Sequence, residues 1–214
     1  MIRLGYLDED KGNRNTFYRV FKKDFEVIML DDNTRLNSAD MVLDEIDRHE
    51  LDVLAVDFRL ADGGWVAFNG DEVVRVIWNR RRYFPVFMLT SYVNNALEKM
   101  DNVFLVNDKD CLSNNDSISL LKKQISSSVE TYHRIIREKE EQLKQLVEKQ
   151  KAGELTDKEE MDLLALNVEM NNIDPGSNPM SPDMMQTKSI TDLHEMVDLA
   201  RTLLKSIKEG NNGI

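Results

Sequence analysis

Acidic, hydroxyl and amine side chains recur where short apolar segments end in the first half of the chain. Carboxylates that share one pocket repel one another and raise their pKa values unless a cation neutralises them. Mg²⁺ suits such a pocket, because it prefers oxygen ligands and readily bridges a carboxylate to a phosphoryl group. A hydroxyl and an ammonium on the opposite side would complete a cradle for a tetrahedral anion. The residues are Asp8, Glu9 and Asp10 after the first segment, Asp57 after the third, Thr90 and Ser91 after the fourth, and Lys109 after the fifth.

The apolar segments that precede these residues are predicted to be strands of one sheet. Each has the length and the β-branched composition of a strand, and helical apolar spacing separates them. Strands that are apolar throughout and alternate with helices are typical of a parallel sheet covered on both faces. The carboxyl ends of such strands meet at one edge, where open α/β sheets bind their ligands. The predicted strands are residues 2–7, 25–30, 52–56, 85–89 and 103–106.

The order of an acidic pair, an aspartate, a hydroxyl residue and a lysine resembles the receiver domain of response regulators. The resemblance covers about residues 1–127. It implies a flavodoxin-like α/β fold, with a doubly wound parallel sheet of five strands in the order 2-1-3-4-5. It also implies a phosphorelay protein of a two-component system, whose partner is a histidine kinase or a histidine phosphotransfer protein. Such a domain catalyses only its own phosphorylation and dephosphorylation.

The resemblance assigns a role to each matching position. Asp57 matches the phosphoacceptor. The implied Mg²⁺ ligands are Asp8, Glu9, Asp57 and the backbone carbonyl of Arg59. The implied phosphate-binding and switch residues are Thr90, Ser91 and Lys109, and the side chains implied to tune the lifetime of the phosphoryl group are Arg59 and Tyr92.

Three features depart from the receiver pattern. Asp110 follows Lys109 where receivers commonly have a proline. Val106 stands where the switch aromatic is expected, with Phe104 nearby, and the loop 60–69 is longer than usual. These departures concern the switching route, and they remove no residue that the phosphorylation chemistry needs.

The pattern changes after residue 127, which predicts a helical extension in residues 128–214. A long helix from about 116 to 152 is expected to end at Gly153. Thr156 and Glu159 have the spacing of a capping box, which opens a second helix. Its predicted apolar face contains Met161, Leu164 and Val168. A Pro-rich loop at 174–182 and a final amphipathic helix from about residue 189 follow.

The long helix leaves two arrangements open for the extension. Its apolar positions step by four and three, as in a coiled coil. The extension therefore either pairs with a second copy, most simply as a two-fold homodimer, or folds back as a helical hairpin. The seam is Ile125, Val129, Tyr132, Ile136, Lys139, Leu143 and Leu146.

Composition narrows the classes of partner. The formal net charge is −11. A general binder of nucleic acid or of anionic membranes needs a basic surface, so this charge argues against both functions. The extension also lacks the basic helix face of a helix-turn-helix output, so the expected target is an unknown downstream protein. One cysteine, Cys111, excludes an internal disulfide. No apolar run is long enough to span a membrane or resembles a signal segment, so a cytoplasmic protein is expected.

Two other functions remain open from the sequence. The chain could be a pseudo-receiver that serves only as an interaction scaffold. Asp8 and Asp10 also resemble the Asp-x-Asp motif of haloacid-dehalogenase-type phosphatases, in which Asp8 would be the nucleophile and Asp10 the general acid. That interpretation leaves Asp57 unexplained and ranks well below the receiver.

Overall fold

The computed structural model describes residues 1–31, 33–99 and 106–174. Its sheet has five parallel strands in the order β2-β1-β3-β4-β5, which confirms the predicted flavodoxin-like fold. The strands are β1 Arg3–Leu7, β2 Glu26–Leu30, β3 Val53–Val56, β4 Val86–Thr90 and β5 Val106–Asp108. The helices are α1 Lys11–Phe21, α2 Met41–Arg48, α3 Gly70–Arg80, α4 Val93–Lys99, α5 Asn115–Ala152 and α6 Asp157–Ile173. Residues 103–105 of the predicted fifth strand lie outside the described part.

The sheet is buried on both faces, which explains why its strands are apolar throughout. Side chains of successive strand residues point to opposite faces. In β3, Leu54 and Val56 therefore join a core that α2 and α3 cover. Val53 and Ala55 join the opposite core, beneath α1 and the first turns of α5.

The long helix α5 confirms the prediction of one uninterrupted helix up to Gly153. Gly153 has a φ of +72°, a left-handed conformation that glycine adopts without steric cost. The N–H of Gly153 donates to the carbonyl of Gln150, and the N–H of Glu154 donates to that of Lys149, both at 3.0 Å. This pair of bonds is a Schellman motif.

None of the described helices is long and apolar enough to cross a membrane.

The first half of the predicted seam is buried within the α/β domain. Ile125 and Val129 face the core that lies between the sheet and helices α1 and α5. Tyr132 lies in the core on the opposite face of the sheet, and Ile136 packs against that core. A helix that covers a sheet and a helix that pairs with another helix need the same three- and four-residue spacing. The spacing in residues 125–136 therefore reflects burial within this domain.

The structure divides into two compact units, residues 1–137 with 172–174, and a second unit described over residues 138–171. In the second unit, Lys139 pairs with Glu169 at 2.8 Å and Lys149 with Glu159 at 2.5 Å. The inverted order of these pairs shows an antiparallel hairpin, which is the fold-back arrangement. The homodimer and the division at residue 127 stay predictions. The Pro-rich loop beyond Asp174 and the final helix lie outside the described residues.

The second helix of the extension begins as predicted but buries a different face. The N–H of Glu159 donates to Thr156 Oγ1 at 3.3 Å, and the N–H of Thr156 donates to Glu159 Oε2 at 3.0 Å, which completes the capping box. The predicted apolar face was wrong, because Met161 is 71% exposed and Val168 is 62% exposed. The buried apolar residues of α6 are Leu163, Leu166, Met170 and Ile173. Both sets have helical spacing, so spacing alone could not choose between them.

Candidate functional site

The predicted site residues lie at the carboxyl ends of four neighbouring strands. Asp8 follows β1, Asp57 follows β3, Thr90 ends β4 and Lys109 follows β5. The N–H of Asp57 donates to the carbonyl of Leu7 at 2.8 Å, which extends the β1–β3 ladder by one residue. This bond holds Asp57 beside Asp8 at the edge where parallel sheets bind ligands.

Asp8, Asp57 and Lys109 form a buried ionic cluster. The Lys109 Nζ atom lies 2.8 Å from Asp8 Oδ2 and 2.7 Å from Asp57 Oδ1. The side chains of Asp8 and Asp57 are 0% and 2% exposed. Burial lowers the pKa of Lys109, but hydrogen bonds and charges from Asp57 and Asp8 outweigh it and raise the pKa above its ordinary value. The ammonium therefore stays charged and offsets part of the repulsion between the two carboxylates.

Glu9 completes a group of oxygens that fits a divalent cation. Asp8, Glu9 and Asp57 each offer a carboxylate oxygen, and these atoms lie within 4.8 Å of one another. Glu9 Oε2 is buried and has no hydrogen-bond partner among the described residues. Burial, followed by the charge of Asp57, raises the pKa of Glu9 to about 7. An orphaned carboxylate oxygen beside two other carboxylates matches the all-oxygen ligand set that Mg²⁺ prefers.

The raised pKa of Glu9 predicts that metal-free protein loses stability as the pH rises. The unfolded chain releases this proton near the ordinary value of 4.5, whereas the folded chain keeps it up to about 7. The folded state therefore binds more protons in that window, and the free energy of unfolding falls as the pH rises through it. Urea unfolding in a chelating buffer at about pH 5 and about pH 8 should show a smaller loss in Glu9→Gln than in wild type. An equal loss in both proteins would contradict the assignment to Glu9.

Thr90 is fully buried at the end of β4, and Ser91 after it is exposed. The Thr90 Oγ1 atom accepts a hydrogen bond from the N–H of Tyr92 at 3.1 Å. This bond fixes the turn into α4, which is a common use of a hydroxyl at a helix start. Because a hydroxyl both donates and accepts, the Thr90 hydroxyl can also donate one hydrogen bond.

Arg59 and Tyr92 form a contact between the loop that follows Asp57 and the loop that follows Thr90. The Arg59 guanidinium lies 3.6 Å from the centroid of the Tyr92 ring, within the range of a cation–π interaction. The N–H of Arg59 donates to Asp57 Oδ2 at 2.7 Å. The Arg59 carbonyl accepts a bond from the N–H of Asp62 at 3.3 Å. A carbonyl oxygen has a second lone pair, so this bond leaves room for the predicted metal contact.

Asp10 does not join the buried cluster. It is exposed, and its Oδ1 atom accepts from the N–H of Asn13 at 2.7 Å as the N-cap of α1. This is the ordinary role of an aspartate that precedes a helix.

Sequence reasoning missed two residues that shape the site. The phenol of Tyr6, in β1, donates a hydrogen bond to Asp8 Oδ2. A residue with a hydroxyl on the same strand face, two positions before Asp8, was the signal that could have found it. Gly70 opens α3 directly against the backbone of Asp57: a Cβ atom there would lie 2.1 Å from the Asp57 carbonyl oxygen. Only the folded backbone reveals that approach.

Comparison with known proteins supports no conclusion about this chain. No protein-family model matches the sequence, and no curated protein matches it. Among solved structures, the Salmonella typhimurium RcsB response regulator, described for its conformational dynamism in DNA interaction, aligns with 12% identity and a TM-score of 0.37. The alignment covers 86% of this chain and 97% of that chain. A likeness this low carries no argument, and the receiver-like fold rests on the strand order itself.

Proposed function

We propose that this chain is a phosphorelay signalling protein that accepts a phosphoryl group on Asp57 in a Mg²⁺-dependent reaction. The observation that carries the proposal is the buried cluster of Asp8, Asp57 and Lys109 with the orphaned Glu9 carboxylate beside it. Burying these charges lowers the stability of the fold, which favours a functional role for them. Asp57, unlike Asp10, belongs to it, which favours the receiver function over the phosphatase.

The proposed reaction is nucleophilic attack by an Asp57 carboxylate oxygen on phosphorus. The donor is a phosphohistidine of a histidine kinase or phosphotransfer protein, or a small acyl phosphate. A P–O bond to Asp57 forms as the bond to the donor breaks, and the leaving group keeps that electron pair. Bound Mg²⁺ would supply charge neutralisation between the nucleophile and the phosphoryl oxygens. Asp8, Glu9, Asp57 and the Arg59 carbonyl would hold the ion.

The other residues of the site would bind the product. The Lys109 ammonium is already within reach of Asp57 and would share the added negative charge. The buried Thr90 hydroxyl would donate to a phosphoryl oxygen, with Ser91 leaving space beside it. A shift of Thr90 would move the turn that it fixes through Tyr92. The modification would thereby bias the position of the loop before α4.

The helical extension is the proposed output of the protein. The sequence boundary divides the chain into a phosphoacceptor domain, residues 1–127, and an extension, residues 128–214. Val129 and Tyr132, at the start of that extension, are buried in the cores of the domain, so the proposed output surface lies further along the extension. Its proposed role is to bind a downstream protein or a second copy of the chain, without contacting DNA. The antiparallel hairpin in residues 138–171 presents exposed apolar residues, Met161 and Val168 among them, which are suited to contact with another protein.

The direct test is incubation of the purified chain with acetyl phosphate and Mg²⁺, followed by phosphate-affinity electrophoresis. We expect a retarded band that requires both the donor and the metal and disappears with a chelator. Absence of a retarded band with acetyl phosphate and with a phosphorylated histidine donor would favour the scaffold function. Continuous release of inorganic phosphate from simple phosphate esters would favour the phosphatase.

The contact between Arg59 and Tyr92 predicts a longer lifetime of the phosphoryl group. The stacked pair stands between the two loops that follow Asp57 and Thr90, where it would restrict attacking water. Loss of one exposed cation–π contact corresponds to roughly a two- to fivefold change in rate. Tyr92→Ala should shorten the half-life of the phosphorylated chain by that factor, measured as decay of the retarded band after the donor is removed.

Two variants control this measurement. Tyr92→Phe keeps the ring and should decay like wild type. Tyr18→Ala removes a tyrosine of similar exposure on α1 and should also leave the half-life unchanged. An unchanged half-life in Tyr92→Ala would exclude the stacked pair as a barrier to water.

A further inference from the structure

We propose that Tyr6 is a positioning residue for Asp8, and that its phenol sets the affinity of the site for Mg²⁺. This inference rests on the proposed metal site and adds a residue that the receiver resemblance did not assign. The phenol O–H donates to Asp8 Oδ2, and both residues are 0% exposed.

A buried tyrosine at this position is not explained by packing alone. Phenylalanine would fill the same apolar space, whereas a buried hydroxyl without a partner is costly. Among the described residues, the hydrogen-bond acceptor for the Tyr6 hydroxyl is Asp8. The role of the phenol is therefore to donate a hydrogen bond to the Asp8 carboxylate.

The ring of Tyr6 is held rigidly. It stacks on Phe17, with ring centroids 3.9 Å apart and planes inclined by 9°. Its backbone lies in β1, which pairs with β2 on one side and β3 on the other, opposite Met29 and Ala55. Because the backbone and the ring are both fixed, the phenol donates its hydrogen bond to Asp8 from a fixed position.

The other contacts of Asp8 show why a fixed donor matters. Asp8 Oδ1 accepts from the backbone N–H of Asp10 at 2.8 Å and, more weakly, from the Asn13 side-chain amide at 3.4 Å. Each carboxylate oxygen therefore has at least one rigid donor. Lys109, in contrast, contacts Asp8 at the end of a long side chain. When Lys109 shifts toward a phosphoryl group, the Tyr6 and Asp10 donors keep the Asp8 carboxylate from rotating. Hydrogen-bond partners of metal ligands act in this way, and their loss typically lowers metal affinity about 10- to 100-fold.

The test is Mg²⁺ binding to the full-length chain, measured by isothermal titration calorimetry with MgCl₂ and no phosphodonor. Tyr6→Phe removes one oxygen atom and keeps the ring that stacks on Phe17, and circular dichroism would verify its fold. We expect its dissociation constant for Mg²⁺ to rise about tenfold. The matched control is Tyr18→Phe, an exposed tyrosine on α1, which should bind like wild type.

A double variant separates positioning from a general loss of packing. If Tyr6 acts through Asp8, Tyr6→Phe should change Mg²⁺ affinity much less in an Asp8→Asn background than in wild type. Equal effects in the two backgrounds, or wild-type affinity in Tyr6→Phe, would overturn the role of Tyr6 while leaving the metal site intact. Absence of Mg²⁺ binding in wild type would overturn the metal site and this inference together.

Discussion

Asp57→Asn is expected to abolish phosphoryl labelling of the chain completely. The carboxamide is neutral and lacks the anionic oxygen that attacks phosphorus. Asp57 lies 2.7 Å from Lys109 and belongs to the group of carboxylates that could hold a metal ion, so the substitution also removes one negative charge from the proposed metal site. The measurement is the retarded band in phosphate-affinity electrophoresis, compared with wild type at saturating Mg²⁺ and acetyl phosphate.

Two further variants make this result specific. Asp44→Asn changes an exposed aspartate on α2 and should be labelled like wild type. Asp8→Asn retains the acceptor and loses a proposed metal ligand, so labelling should persist but require more Mg²⁺. Labelling that survives Asp57→Asn and vanishes in Asp8→Asn would contradict the receiver chemistry and favour a nucleophilic Asp8.

Gly70→Ala is expected to destabilise the protein by an amount unusual for one added methyl group. The new Cβ atom would lie 2.1 Å from the Asp57 carbonyl oxygen and 3.2 Å from the Phe58 Cα atom. Both neighbours are backbone atoms, and the N–H of Gly70 donates to the Phe58 carbonyl at 2.9 Å, so neither side can yield easily. Steric overpacking of this kind costs on the order of 3 kcal/mol, measured as the free energy of unfolding in urea.

The control for this prediction is a larger substitution at a different glycine. Gly64 has a φ of +73°, and a Cβ atom added there would have no other atom within 4 Å. Asparagine tolerates that left-handed backbone better than other residues, so Gly64→Asn should cost less than about 1 kcal/mol. A smaller loss in Gly70→Ala than in Gly64→Asn would show that α3 can move away from Asp57.

The sequence was sufficient for the sheet and for the convergence of the charged residues. Strands buried on both faces must be apolar throughout, so residues such as Leu54 and Val56 reveal their burial directly. Once the strands are parallel, their carboxyl ends share one edge. The convergence of Asp8, Asp57 and Lys109 can therefore be predicted without knowledge of side-chain geometry.

Other features depend on tertiary contacts that one-dimensional patterns do not encode. The spacing of Ile125 and Val129 is the same for a helix on a sheet and for a helix in a coiled coil, so only the structure shows that they face the sheet. Met161 and Leu163 belong to two competing faces of α6, and the hairpin partner decides which is buried. The contact of Arg59 with Tyr92 joins two loops whose relative position is fixed by the fold.

The location of the acyl phosphate tests the central claim most directly. Borohydride reduces an aspartyl phosphate to homoserine, and peptide mass spectrometry then identifies the modified position. After incubation with Mg²⁺ and acetyl phosphate, we expect homoserine at position 57 and unmodified aspartate at position 8. Homoserine at position 8, or at neither position after complete peptide coverage, would contradict the assignment of Asp57 as the phosphoacceptor.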